Sequence, residues 1–154
     1  MEALAIREMR DDEREAVAAL WESCGLTRPW NDPAAEIALA LAGPASTLLV
    51  GEVAGDAPAG LAASVMVGHD GHRGTVYYVS VAPACRGRGY GRQMMAAAED
   101  WLKQRGIWKL NLLIRADNTA VEAFYASLGY AVEPRTAMAK WLDPSKNPQN
   151  AGKG

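Results

Sequence analysis

The chain contains few of the residues that form disulfides or bind metals, with two cysteines and two histidines among 154 residues. Cys24 and Cys85 are too few for a disulfide framework. Together with His69 and His72 they show no metal-ligand spacing. We therefore expect free thiols and no metal.

The sequence also lacks long apolar runs and an excess of basic charge. No apolar run approaches the roughly 18 to 20 residues of a membrane span, and the N-terminus has no basic segment followed by an apolar one. The net charge is −2 and the pI is near 5.7, without the basic surplus of a nucleic-acid-binding domain. We expect a cytoplasmic protein with neither nucleic acid nor membrane as partner.

The composition suits one folded domain. The chain is 49% hydrophobic and 22% charged, enough apolar material for a normal core, and it has no internal repeats. We expect a single domain over residues 1–142. The tail from Asp143 to Gly154 is rich in Pro, Asn, Lys and Gly, which predicts disorder.

Hydrophobic periodicity and turn residues predict the order strand, two helices, antiparallel strands, helix, strand, helix and two closing strands. Predicted strands cover residues 4–9, 47–53, 60–67, 75–82 and 107–115. Predicted helices cover residues 11–24, 92–105 and 118–128, and another begins with Asp32 as N-cap and Pro33 as first residue. Gly55 and Asp56 mark a hairpin turn. Because the strand at 107–115 follows a strand and a helix, we expect it parallel to the strand at 75–82.

A basic, glycine-alternating turn lies between the strand at 75–82 and the helix at 92–105: Arg86-Gly87-Arg88-Gly89-Tyr90-Gly91. Glycine permits positive φ and a close approach of the backbone to a ligand. No Ser, Thr, Asp or Asn caps the expected helix start, so the first N–H groups are available to a ligand. The turn predicts a binding site for an anion such as a diphosphate.

Three known phosphate-binding turns compete for this segment, beside an ordinary glycine-rich loop, which stays open. A P-loop requires Gly-Lys-Ser/Thr, which is absent, and a dinucleotide fingerprint requires glycine where this chain has Arg92. What remains is Arg86-x-x-Gly89-x-Gly91 after Val79–Pro83. This pattern resembles motif A of the GNAT (GCN5-related N-acetyltransferase) family, which binds acetyl-CoA.

A second segment, from Asn118 to Tyr130, resembles motif B of the same family. Its apolar residues recur at i, i+3, i+4 and i+7 on one helix face that ends at Gly129, and they are Val121, Phe124, Tyr125 and Leu128. Three of them are expected in the core, whereas Tyr125 carries a hydroxyl that needs a partner when buried. In the family the matching tyrosine faces the sulfur of CoA.

The resemblance covers residues 4–142 and implies an α/β (α+β) GNAT fold. That fold has a mixed, mostly antiparallel central sheet of about six to seven strands, about four flanking helices and a splayed parallel strand pair. The pantetheine arm of CoA enters the gap between the splayed strands, where backbone groups of Val79 and Val81 are implied to meet its amides. The diphosphate is implied to bind the backbone amides of Arg86, Gly87, Arg88, Gly89, Tyr90, Gly91 and Arg92. Asn118 is either a plain N-cap or a contact of the cofactor arm.

The activity implied is transfer of the acetyl group of acetyl-CoA to a primary amine of a small molecule or amino acid, by direct attack in a ternary complex. The backbone N–H of Val81 is the candidate oxyanion donor, and Tyr125 is the candidate general acid for the departing thiolate. Two alternatives remain: acetylation of a protein N-terminus or lysine, and an acyl-CoA-binding regulatory module without catalysis. A homodimer is also left open.

The sequence does not identify the general base. Thr75 stands where some family members carry a glutamate, and it cannot serve. Other candidates are Glu52, Asp70, His72, Tyr77 and Tyr78, and strand alternation predicts that Tyr77 and Tyr78 do not both face the site.

Two segments are candidates for choosing the acceptor. Trp30 and Asn31 lie in the turn at residues 26–33, where Trp30 is equally a hydrophobic plug over the core. His72 and Arg73 lie in the turn at residues 68–74 and suit an anionic acceptor group, with Tyr77 nearby. Both segments resemble a bacterial branch, the YpeA-like acetyltransferases, whose acceptor is not established.

Overall fold

A computed structural model describes residues 3–53 and 60–150. In these residues the helices are α1 (Arg14–Ser23), α2 (Pro33–Leu41), α3 (Tyr90–Gln104) and α4 (Thr119–Ser127). The strands are β1 (Leu4–Glu8), β2 (Ser46–Val53), β3 (Ala63–His69) and β4 (Gly74–Val81). The α/β class and the four helices agree with the prediction, and the predicted hairpin turn at Gly55 and Asp56 lies outside the described residues.

The sheet has the order β1-β2-β3-β4, and every neighbouring pair is antiparallel. The prediction of six to seven strands was wrong for the described part of the chain, which forms four. The segment at 107–115 makes a single parallel bridge, in which Leu110 pairs with Gly74, and it forms no strand. Residues 130–142, expected to supply the closing strands, carry no strand either. An alternating sequence favours an extended backbone, but only a neighbouring strand supplies the ladder of hydrogen bonds.

The one bridge has the parallel direction that the chain order predicts. Gly74 donates its N–H to the carbonyl of Lys109 at 2.9 Å, and Asn111 donates to the carbonyl of Gly74 at 2.9 Å. Beyond Gly74 the outer edge of β4 pairs with no strand in the ranges described. The two segments therefore meet at the start of β4 and do not continue as a pair.

Helices cover both faces of the sheet. On one face, α1 and α2 pack over a cluster of buried residues: Met9, Val17, Trp21, Ile37, Ala40, Leu48 and Val50. Side chains alternate along a strand, so Gly51 faces the other side, where its missing β-carbon would lie 3.1 Å from Met94 Sδ of α3. The predicted inner face of α1 is confirmed at Val17, Leu20 and Trp21.

Local capping explains where two of the helices begin. Asp32 accepts a hydrogen bond from the N–H of Ala35 at 3.1 Å, with Pro33 at the first helical position, as predicted. The helix α3 begins at Tyr90, two residues earlier than the predicted Arg92, because Gly89 adopts φ +78° and serves as its N-cap. The glycine turn is therefore shorter than its sequence indicates.

Contacts between Cα atoms divide the chain into two compact units. The first comprises residues 1–27 and 32–113 and holds the sheet with α1, α2 and α3; the second comprises residues 28–31 and 114–154 and holds α4. The tail predicted to be disordered forms two short 3₁₀ helices in its described part, Pro144–Lys146 and Pro148–Asn150. Among the described residues, no helix is long and apolar enough to cross a membrane.

Candidate functional site

The glycine turn follows β4 and precedes α3. Gly87 at φ +81° and Gly89 at φ +78° both occupy the left-handed region, where a side chain is strained. Residues 86–89 are all exposed, and no side chain caps the first turn of α3. The N-terminal pole of a 15-residue helix thus opens onto an accessible glycine turn, the arrangement that binds anions.

Three arginines surround this turn. The side chains of Arg86, Arg88 and Arg92 are exposed, and none of them forms an ion pair with a carboxylate among residues 3–53 and 60–150. Arg86 donates from Nε to the carbonyl of Val81 at 3.4 Å. The turn therefore carries positive charge that no described acid neutralises.

The end of β4 leads directly into the turn. Ala82, which follows β4, donates its N–H to the carbonyl of Ala62, which precedes β3, at 2.7 Å. Because successive residues of a strand direct their N–H groups to opposite edges, the N–H of Val81 is directed away from β3. The carbonyl of Val81 accepts from the thiol of Cys24 at 3.2 Å. Val81 thus presents its backbone at the outer edge of β4, where no strand pairs with it in the described ranges.

A β-bulge interrupts β4 at Tyr78. The register shifts so that Ser64 pairs with Ser80 but Met66 pairs with Tyr77, and Tyr78 takes φ +51°. Strand alternation predicted that Tyr77 and Tyr78 do not both face the site, yet both contribute to the lining of one cavity. Alternation holds only for a regular strand, and the extra residue resets it.

This cavity, the β4 cavity, lies within the first unit between α2, the β3–β4 hairpin and residues 111–113. Its volume is about 800 Å³. Its apolar lining includes Leu39, Met66 and Leu113, and its polar and charged lining includes Glu36, His69, Asp70, Arg73, Tyr77, Tyr78 and Asn111. Of the predicted acceptor residues, Arg73 and Tyr77 line it and His72 does not.

Glu36 is the charged residue of this cavity that sequence reasoning missed. The hydroxyl of Tyr78 donates to Glu36 Oε2 at 2.5 Å, across from β4 to α2. Burial, and then the hydrogen bond to the Glu36 carboxylate, raise the pKa of Tyr78, so the phenol keeps its proton at neutral pH. The available signal was that Glu36 is the only charged residue in the otherwise apolar α2.

Two further candidate bases, Glu52 and Asp70, have partners of their own. Glu52 forms an ion pair with Arg7 at 2.9 Å. Asp70 Oδ1 accepts the backbone N–H groups of His72 and Arg73 at 2.9 and 2.8 Å, which lowers the pKa of Asp70 and stabilises its turn. These contacts give Glu52 and Asp70 structural roles.

In the second unit, α4 places Tyr125 on a buried face. Tyr125 is 9% exposed, and its ring makes edge contacts with Phe124 and Tyr130, at centroid distances of 5.0 and 5.7 Å. Burial raises the pKa of the Tyr125 hydroxyl. A tyrosine in this setting is protonated at neutral pH and has a proton to donate.

The remaining predicted residues of the second unit have local roles. Asn118 Oδ1 accepts from the N–H of Val121 at 3.3 Å, so Asn118 is the N-cap of α4. Asn31 Oδ1 accepts from the N–H of Arg28 at 2.6 Å and closes a turn in which Trp30 is 48% exposed. Half of the Trp30 side chain is thus accessible.

The profile of the Acetyltransferase (GNAT) family matches residues 6–130, which include both the glycine turn and α4. The chain belongs to the GNAT family. An acetyltransferase of Sodalis glossinidius is 43% identical over 130 residues, covering 84% of this chain and 89% of that protein. An acetyltransferase of Pectobacterium atrosepticum is 44% identical over 139 residues, covering 90% of this chain and 96% of that protein.

A solved structure extends the likeness to the fold. An aminoglycoside N-acetyltransferase in complex with CoA superposes with a TM-score of 0.76 at 16% identity, covering 92% of this chain and 97% of that one. At this identity the likeness shows the GNAT fold alone. The protein is accordingly a GNAT acetyltransferase, and its described residues form a four-stranded sheet.

Proposed function

We propose that this protein transfers the acetyl group of acetyl-CoA to the primary amine of a small molecule or amino acid within a ternary complex. The observation that carries this proposal is the course of β4. Four residues of its first half, Gly74, Thr75, Tyr77 and Tyr78, line the β4 cavity, and its end leads into the glycine turn. One strand therefore joins a space for an acceptor to a site for an anionic cofactor.

Acetyl-CoA would be held mainly by backbone groups. The amides from Arg86 to Arg92 would bind the diphosphate at the N-terminus of α3, assisted by the three arginines that have no described acid partner. Val79 and Val81 would meet the pantetheine amides at the outer edge of β4. Asn118 would reach the cofactor arm only with the part of its side chain that does not cap α4.

The chemistry then needs three groups. The neutral amine attacks the thioester carbon, and negative charge develops on the carbonyl oxygen, which the N–H of Val81 would stabilise. The carbon–sulfur bond breaks as Tyr125 gives its proton to the sulfur, and the amine loses a proton to solvent. Burial raises the pKa of the Tyr125 hydroxyl, which is therefore protonated at neutral pH and has a proton to give.

A small acceptor is favoured over a protein chain by the dimensions of the β4 cavity. Its volume of about 800 Å³ falls within the range of about 300 to 1,000 Å³ that is usual for small-molecule sites. Its walls come from a helix, a hairpin and the segment at 111–113.

The test is thiol release from acetyl-CoA by the purified protein, with amines, amino acids and short peptides as acceptors and Tyr125→Phe alongside. We expect release that requires both an amine and Tyr125. Release with peptides alone would indicate a protein acceptor, and CoA binding without turnover on any acceptor would indicate a regulatory module. Absence of CoA binding would overturn the proposal.

A further inference from the structure

The β4 cavity carries opposite charges on two walls, and neither charge is paired within the protein. On α2, Glu36 has the Tyr78 hydroxyl as its hydrogen-bond partner and no ion pair in the described parts of the chain. On the β3–β4 hairpin, Arg73 donates from Nη1 to the carbonyl of His72 at 3.3 Å and has no carboxylate within 4.0 Å among the described residues. A ligand in this cavity therefore meets the Glu36 carboxylate on one wall and the Arg73 guanidinium on another, with the Asp70 carboxylate in the same turn as Arg73.

Both charged groups are attached to ordered supports. The hairpin is closed by Asp70, whose Oδ1 accepts the N–H groups of His72 and Arg73 at 2.9 and 2.8 Å. Asp70 also lines the cavity, and its Oδ1 is engaged by these two bonds. The Glu36 carboxylate is held by Tyr78, whose ring stacks on Trp21. The Glu36 carboxylate is thus held in place, and Arg73 extends from an ordered turn, which lowers the entropic cost of binding.

The cavity also has an apolar part. It is formed by Leu39 and Ala40 of α2, Met66 of β3, and Leu113. Such a surface suits an alkyl chain. A second cationic group on the ligand would meet Arg73 and be repelled.

We propose that the acceptor is a small amine that also carries an acidic group, with its amino group at Glu36, its anion at Arg73 and its alkyl chain along Leu39 and Met66. The amino group is held at Glu36 as an ammonium and attacks only after it has lost a proton to solvent. This inference rests on the transferase function proposed above and specifies its substrate class. The acidic group is a carboxylate or a phosphate, since a guanidinium binds both through paired hydrogen bonds. Glu36 and Arg73 are then the residues that determine specificity.

The test compares matched alkylamines of two to five carbons, without a second group and with a terminal carboxylate, phosphonate or second amine. The measured quantity is kcat/KM for thiol release from acetyl-CoA. We expect kcat/KM for the best acidic amine to exceed that of its plain counterpart by about tenfold or more, which is the effect of one charge-assisted hydrogen bond. The carboxylate and phosphonate arms identify which anion is preferred, and the diamines are expected to be the poorest.

The variants assign the preference to its residues. Arg73→Ala should raise KM for the acidic amines more than KM for the plain amines, and so reduce the advantage of the acidic amines. Arg73→Lys should restore part of that advantage. Glu36→Gln should raise KM for acidic and plain amines alike. Arg14→Ala and Glu15→Gln are the matched controls, since both residues lie on α1 outside the β4 cavity.

Each result bears on one of the two proposals. Three results would overturn the inference. They are an equal kcat/KM for acidic and plain amines, an equal fall of kcat/KM for both in Arg73→Ala, and no turnover of any acidic amine. Tyr125-dependent turnover of another amine would leave the transferase function standing in those cases. A protein that does not bind CoA would overturn the function itself, and thermal melting of each variant shows that it is folded.

Discussion

The ring of Tyr78 stacks on Trp21, with centroids 3.9 Å apart and planes inclined by 9°. Trp21 is fully buried, and its Nε1 donates to Ser64 Oγ at 3.2 Å, which fixes the indole against β3. The stack fixes Tyr78 in turn, and its hydroxyl then reaches Glu36 on α2. The charged wall of the β4 cavity thus depends on an aromatic contact between β4 and α1.

Tyr78→Phe tests this arrangement, because it keeps the stack and removes the hydroxyl. We expect a loss of about 0.5 to 1.5 kcal/mol in the free energy of unfolding, the usual contribution of one hydrogen bond. Urea unfolding measures it. Tyr77→Phe is the control. Because Tyr77 is 52% exposed, this variant should have the same free energy of unfolding as the wild type. Equal stability of the two variants would contradict a contribution from the Tyr78–Glu36 bond.

Gly89→Val should abolish CoA binding, because valine is strained at φ +78° and its side chain would enter the glycine turn. Arg88→Ala should weaken binding only, since the backbone supplies most of the contacts. Calorimetric titration with CoA measures both affinities. Gly43→Ala controls for the loss of a glycine, because no atom lies within 4 Å of its missing β-carbon. Wild-type affinity in a folded Gly89→Val protein would place the diphosphate elsewhere.

Tyr125→Phe should lower kcat on the order of 10² to 10⁴-fold with little change in KM for acetyl-CoA. The physical reason is that phenylalanine preserves the buried ring and removes the proton that the departing thiolate needs. Thiol release under saturating acceptor measures kcat, and retained CoA affinity shows that the site is intact. Wild-type kcat in this variant would remove Tyr125 from the mechanism.

Acid stability should depend on Glu13, a buried residue near the start of α1. Its oxygens accept from Arg7 at 2.7 and 2.9 Å and from the N–H of Arg10 at 2.7 Å. The hydrogen bond from Arg7, and then that from Arg10, lower the pKa of Glu13 from 4.5 to about 2. Because the folded pKa is the lower one, the stabilisation is complete above pH 4.5 and is lost as the pH falls towards 2.

Glu13→Gln should therefore cost about 1 to 3 kcal/mol at pH 7 and flatten the acid limb of the stability curve. Urea unfolding between pH 2 and 7 measures this. Glu15→Gln, on the exposed side of α1, should leave the curve unchanged. A Glu13→Gln protein as acid-sensitive as the wild type would show that other carboxylates govern acid unfolding.

Much of the fold could be predicted because its signals are local. Asp32 with Pro33 begins α2, Asn118 begins α4, and Gly129, at φ +97°, follows its last turn. Each signal acts over a few residues, so no knowledge of the sheet is needed to interpret it. The GNAT resemblance was found in the same way, from the glycine turn and the motif at α4, and the family match confirms it.

The sequence by itself thus determined the family, the helices and the glycine turn, because caps, glycines and hydrophobic periods act within a few residues. Only the tertiary structure decided the four-stranded sheet, the bulge at Tyr78 and the place of Glu36 in the β4 cavity. A strand needs a partner from a distant segment, and a bulge changes which face each later side chain takes. Glu36 and Tyr78 are 42 residues apart in the chain, and the packing of α2 beside β4 brings them together.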